Sequence, residues 1–170
     1  MSGAGSSMDE ARRRLVQGWL IKAQHDLDTA RKLAQDPGPL LDTAIYHCQQ
    51  AAEKAVKGFL AYHDQTVVKT HDVRFLVNQA LAFEPGFEEW FEAAECVTPY
   101  ATAYRYPDEV LEPEKEEFEM ARDAAAGLVA FVLRVLPEEV RPGVGPGETI
   151  AEASPKGMDE MEKGAGVKEP

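Results

Sequence analysis

LDTAIYHCQQAAEKAVKGFLAYH, residues 41–63, decides the fold. Leu41, Ala44, Ile45, Cys48, Ala52, Ala55, Val56, Phe59 and Leu60 recur at steps of three and four, the spacing of one helical face. Small side chains at Ala44, Ala51, Ala52 and Ala55 let a second helix come close, while Gln49, Gln50, Glu53, Lys54 and Lys57 occupy the flanks. A helix of this kind belongs inside a bundle.

Working outward, DPGP at 36–39 combines a turn former with two prolines and a glycine, so the chain reverses there. Before the turn, Leu15, Trp19, Ala23, Leu27, Ala30 and Ala34 predict an amphipathic helix from Asp9 to Gln35, antiparallel to the first. After it, Thr70 is placed to cap a helix with the apolar face Val73, Leu76, Val77, Ala80 and Leu81, which FEPG at 83–86 breaks. A further helix is expected from about Phe87 to Tyr104, kinked or divided at Pro99. The last runs from Pro113 through Phe118, Ala121, Ala125, Leu128, Val129, Val132 and Leu136 to a stop at Pro137. Only TVV at 66–68 is β-branched, too short to found a sheet. The expected fold class is all-α: an up-and-down bundle of four long helices with one or two short ones, spanning 9–137. Residues 1–8 and the Pro- and Gly-rich stretch 138–170 are expected to be disordered.

The totals agree with one such domain. A chain of 170 residues with 44% hydrophobic content fills one core. The first ten residues lack the apolar segment of a secretory signal, no stretch reaches the ~18 apolar residues of a membrane span, and no cationic cluster suits a membrane surface. The expectation is therefore a cytoplasmic protein without membrane contact. Cys48 and Cys96 fall in helical apolar patterns, as reduced thiols do. A net charge of −12, from 30 acidic against 18 basic residues, excludes a protein that coats nucleic acid through its overall field but leaves room for a local basic cleft.

Chemistry-bearing residues gather in two places. KTH at 69–71 brings a cation, a hydroxyl and an imidazole to a helix start, where backbone N–H groups favour an anion; the alternative is a cap with a backbone-bonded histidine. TAYRYPDE at 102–109 holds Arg105 between Tyr104 and Tyr106. A guanidinium there can grip phosphate in a two-pronged way beside two aromatic faces, or it can close a helix end on its carbonyls or on Asp108 or Glu109. The four histidines, His25, His47, His63 and His71, show no i, i+4 pair and no HExxH, so neither zinc nor any other cofactor is expected. Neither cysteine lies in an electropositive context, no GxSxG occurs, and GVGPGE at 143–148 resembles a phosphate loop only in composition.

WLIKAQHDLDTARKLA at 19–34, AIYHCQQAAEKAVKGFLAYH at 44–63, KTHDVRFLV at 69–77 and AYRYPDE at 103–109 together resemble the HEPN family in order and spacing, over roughly Leu15 to Leu136. The resemblance implies a bundle of four or five helices that commonly dimerises near the arginine segment. It also implies frequent pairing with a minimal nucleotidyltransferase as toxin and antitoxin. In the family's RNases an arginine is followed after four to six residues by a histidine. Here Val110, Leu111 and Glu112 occupy those positions and every histidine precedes Arg105. Arginine cannot titrate near neutral pH to replace the missing acid or base. The expectation is therefore a homodimeric, non-catalytic module that binds a nucleotide, a nucleotidyltransferase partner, or both, with Lys69, His71, Tyr104, Arg105 and Tyr106 as phosphate or nucleotide contacts. A diverged RNase using His71 and Arg105 is the alternative. A purely structural bundle docking a partner through Trp90, Phe91 and Tyr100 is the other.

Overall fold

The structure, a computed structural model, describes residues 4–143. Five α-helices follow in order: α1 (Ala4–Leu33), α2 (Leu41–Tyr62), α3 (Val73–Ala80), α4 (Phe91–Val97) and α5 (Lys115–Val135). Short 3₁₀ turns occupy Pro85–Trp90, Thr98–Ala101 and Glu138–Val140, and no strand occurs among the described residues. Of the two terminal stretches expected to be disordered, 1–3 and 144–170 lie outside the described residues.

α2 is the centre of the bundle, packed along its length on α1 and, on other faces, on α5 and α3. Its small residues make this possible: Ala44, Ala51, Ala52 and Ala55 are fully buried. At Gly58 an added Cβ would meet the Cβ of Trp19 at 3.1 Å, so the glycine sets how closely α1 approaches. The α1 helix starts at Ala4, ahead of the expected Asp9, and its stripe is not the expected one at its beginning. Leu15 is 54% exposed, and the buried series is Val16, Leu20, Ala23, Leu27 and Ala30. Counting back from Leu27 by alternating fours and threes reaches Val16, not Leu15, and leaves Trp19 at the edge of the seam.

Three further boundaries differ from the sequence reading. Asp72, not Thr70, caps α3, its Oδ1 accepting from the N–H of Arg74 at 3.0 Å and of Phe75 at 3.3 Å. A carboxylate at that spacing satisfies the N–H groups and the helix dipole together, while the Thr70 hydroxyl, two residues too early, accepts only from the Asp72 N–H. The region expected as a helix from Phe87 to Tyr104, kinked or divided at Pro99, does divide beside Pro99, but it opens with a 3₁₀ turn at Pro85–Trp90, and α4 gives way to a second 3₁₀ turn. Pro113 is buried but precedes α5, which begins at Lys115 after Glu114 in extended backbone.

Past Pro137 the described chain stays packed as far as Arg141. Val140 is buried, and the Arg141 guanidinium donates to the carbonyls of Leu136 and Arg134, closing the C-terminal end of α5. Trp90, Phe91 and Tyr100, the anchors of the docking alternative, are only partly exposed and pack on the core. Trp90 lies against the Phe131 ring, 5.5 Å between centroids. Among the described residues no helix is long and apolar enough to cross a membrane, and both cysteines are unpaired.

Candidate functional site: the polar strip of α2

A helix buried on nearly all sides should bury few polar or charged groups, yet α2 buries Gln49, Glu53 and Lys57. They belong to a strip in which Tyr46, Gln50, Glu53 and Lys57 recur at helical spacing, with His47 and Lys54 along its α1 edge.

Glu53, 4% exposed, holds the middle of the strip. Lys57 Nζ donates to its Oε1 at 2.6 Å, and Gln49 Nε2 donates to its Oε2 at 2.9 Å. His71 Nδ1 meets that second oxygen at 3.0 Å. Gln49 also donates to the His71 carbonyl, so the segment before α3 is tied to α2 through side chain and backbone together. Burial alone pushes the Glu53 carboxyl up, but the bonds from Lys57, Gln49 and His71 outweigh it and hold the group below the usual carboxylate range. Lys57 also lies over the Trp19 ring, 5.8 Å from its centroid.

Asp26 of α1, also buried, makes a second cluster. Its Oδ1 meets His47 Nδ1 at 2.7 Å, and its Oδ2 accepts from Lys54 Nζ at 2.5 Å. With Nδ1 held by a carboxylate, the other ring nitrogen of His47 is the one left for chemistry. The His47 ring stands edge-on to Tyr46, 5.5 Å between centroids.

Tyr46 is where Arg105 arrives. The guanidinium carbon lies 4.2 Å from the centre of the Tyr46 ring, and Nη1 donates to the Ala101 carbonyl at 3.2 Å. One of the sequence alternatives is thus realised: the arginine closes the end of the Thr98–Ala101 turn on its carbonyl, and it also stacks on an aromatic. The aromatic is not one of its neighbours in sequence. Tyr104 takes a left-handed backbone, φ 64°, uncommon outside glycine, which sends its side chain to α5 and the next one to α2. Its hydroxyl donates to Glu117, within 3.0 Å of both carboxylate oxygens, beside the Tyr100 hydroxyl at 2.8 Å. Burial first, and the Glu117 carboxylate second, push both phenols up.

The predicted residues are therefore dispersed. Tyr106 is 67% exposed, beside a hollow of about 430 Å³ that Tyr104, Asp108, Glu109 and Leu111 help to line. Lys69 is exposed and makes no ion pair within the described residues. His71 and Arg105 attach to α2 at Glu53 and Tyr46, seven residues or about 10 Å apart along the axis. What sequence reasoning missed is the strip itself. Its signal was available: Tyr46, Gln50, Glu53 and Lys57 recur on a helix whose other positions are alanine-rich. His63 takes no part; it stacks on Phe83 at 4.5 Å, and burial pushes its pKa down. Among the described residues, no group of three or more His, Cys, Asp and Glu side chains is arranged to hold a metal ion.

The geometry can be set beside known proteins. The family model described as HEPN domain matches residues 16–136. The crystal structure of TT1696 from Thermus thermophilus is 32% identical, with a TM-score of 0.58 over 71% of this chain and 98% of that one. ST0689, described as an archaeal HEPN homologue, is 26% identical with a TM-score of 0.52, over 69% of this chain and 93% of that one. No curated protein sequence matches the chain.

Proposed function

Because the chain belongs to the HEPN family, we propose that it is a non-catalytic phosphate-binding module, acting as a homodimer in the cytoplasm beside a nucleotidyltransferase in a two-component, toxin–antitoxin-like pair. The observation that carries this reading is the Arg105 guanidinium, exposed, stacked on Tyr46, with a hydrogen bond to Ala101. Stacking fixes the plane of the fork, and the remaining N–H donors are available to a nucleotide phosphate or an RNA end. His71, held on Glu53, does not share that anion's immediate surroundings. Exposed Tyr106, Val110 and Leu111 on the segment that follows are the apolar surface a second copy or a partner would cover. Titration calorimetry with ATP, GTP and a short RNA tests the phosphate claim. The wild type should bind one of them and Arg105→Ala should bind it at least about tenfold more weakly; no binding, or equal binding by the variant, overturns it.

One observation favours a second reading, a diverged RNase. The Tyr46 ring touches both Arg105 and His47, and Asp26 orients His47 as a carboxylate orients a general base. The enzyme alternative therefore runs through His47 rather than His71. RNA cleavage lost in both His47→Ala and Arg105→Ala would establish it, and intact RNA at high protein concentration would remove it.

A further inference from the structure

Arg31 near the end of α1 faces Lys115 and Arg122 at the start of α5 across a cavity of about 390 Å³. The two helices each present one stripe to it, since Lys115 and Arg122 are seven residues apart on α5. Glu117, which holds Tyr100 and Tyr104, lies on another face of α5, so this cavity and the Arg105 stack are separate places.

Each cation has an exposed carboxylate partner close by in sequence. Arg31 meets Asp28 at 3.4 Å, Lys115 meets Glu119 at 4.0 Å, and Arg122 meets its neighbour Asp123 at 3.0 Å. Exposed pairs of this kind contribute little and yield to a better-shaped anion. Both arginines act on one buried group: burial pushes the Cys48 thiol up to about 12, and the charges of Arg122 and Arg31 pull against it. Leu41, Pro39 and Phe118 supply apolar wall, and the Arg122 guanidinium carbon lies 5.9 Å from the Phe118 ring centre. Asp36 and Glu119 also line the cavity. Three cations and two carboxylates line the cavity, and Asp28 and Asp123 stand beside Arg31 and Arg122, so a phosphate binds by displacing these exposed pairs, and a single phosphate is favoured over a chain of them.

We propose that this cavity binds a small phosphate monoester, the phosphate held by Arg31, Lys115 and Arg122 and the organic body laid against Leu41, Pro39 and Phe118. The two carboxylates are placed to accept hydrogen bonds from hydroxyl or amino groups on that body.

Titration of the full chain with phenyl phosphate and with inorganic phosphate, followed by calorimetry, tests the assignment. Phenyl phosphate should bind more tightly than inorganic phosphate. The double variant Arg31→Ala/Arg122→Ala should weaken it at least about tenfold. Failure of both probes to bind the wild type, or equal binding by the double variant, overturns the proposal. So does a loss confined to Arg105→Ala, which would assign the phosphate to the Tyr46 stack instead. Lys115→Met, at a side chain 75% exposed and therefore without consequence for folding, should weaken phenyl phosphate as well; unchanged affinity in this variant too counts against the site.

Discussion

Asp26 and Glu53 are both buried, and each binds one lysine and one histidine, but they distribute those partners differently. Asp26 reaches across from α1 to two side chains of α2, His47 and Lys54, whose side chains are 26% and 25% exposed. Glu53 takes Lys57 and Gln49 from its own helix, with Lys57 only 9% exposed in its side chain, and reaches outward only to His71, 71% exposed. The Asp26 cluster joins two helices whose cations can still turn to water. The Glu53 cluster encloses a lysine that cannot. Two carboxylates with the same kinds of partner therefore carry different consequences, and the exposure of the cation, not the number of bonds, decides which matters more.

That contrast can be broken most directly by Glu53→Ala. It strands Lys57 in the bundle and should cost about 3–5 kcal/mol in urea unfolding, whereas Asp26→Ala, with partners that rehydrate, should cost about 1–2 kcal/mol. An equal loss in the two variants would end the distinction. If the Glu53 effect is a stranded charge, the double variant Glu53→Leu/Lys57→Met should recover most of the stability lost in Glu53→Ala, within about 1–2 kcal/mol of wild type. A double variant as unstable as the single one would place the cost in packing.

The pH dependence sharpens the same point. Because the Glu53 carboxyl is held below its unfolded value, its contribution is fully present above the ordinary carboxylate pKa of about 4.3 and is lost as pH falls through the folded value. Glu53→Gln should therefore flatten the acid limb of stability against pH below about pH 4–5, measured by urea midpoints at successive pH values. The smallest expected effect lies at the histidines. His71→Ala, at an exposed imidazole, should cost about 0–1 kcal/mol, with His47→Ala costing more because its ring is packed between Asp26 and Tyr46.

Much of the fold was legible because it rests on local periodicity. Alanines at helical spacing marked α2, DPGP marked its turn from α1, and Pro99 marked the division after α4. The errors came where two residue types compete for one task within a few positions: Thr70 and Asp72 both cap, and only the geometry of the turn selects the carboxylate. Arg105 was legible as a candidate from its composition alone. Its stacking partner was not, because Tyr46 lies in a distant helix, and Tyr104 and Tyr106 were nearer in sequence. The same holds for Glu53, which pattern placed on the flank of the apolar stripe and which the approach of His71 and α1 encloses.

The left-handed residue at Tyr104 has a mechanical meaning. Adjacent side chains anchored on two different helices form a caliper: Tyr104 is pinned to α5 through Glu117, and Arg105 rests on α2 through Tyr46. Any sliding of α5 against α2 must open or close that caliper, and the guanidinium would tilt off its ring before the hydrophobic seam itself gave way.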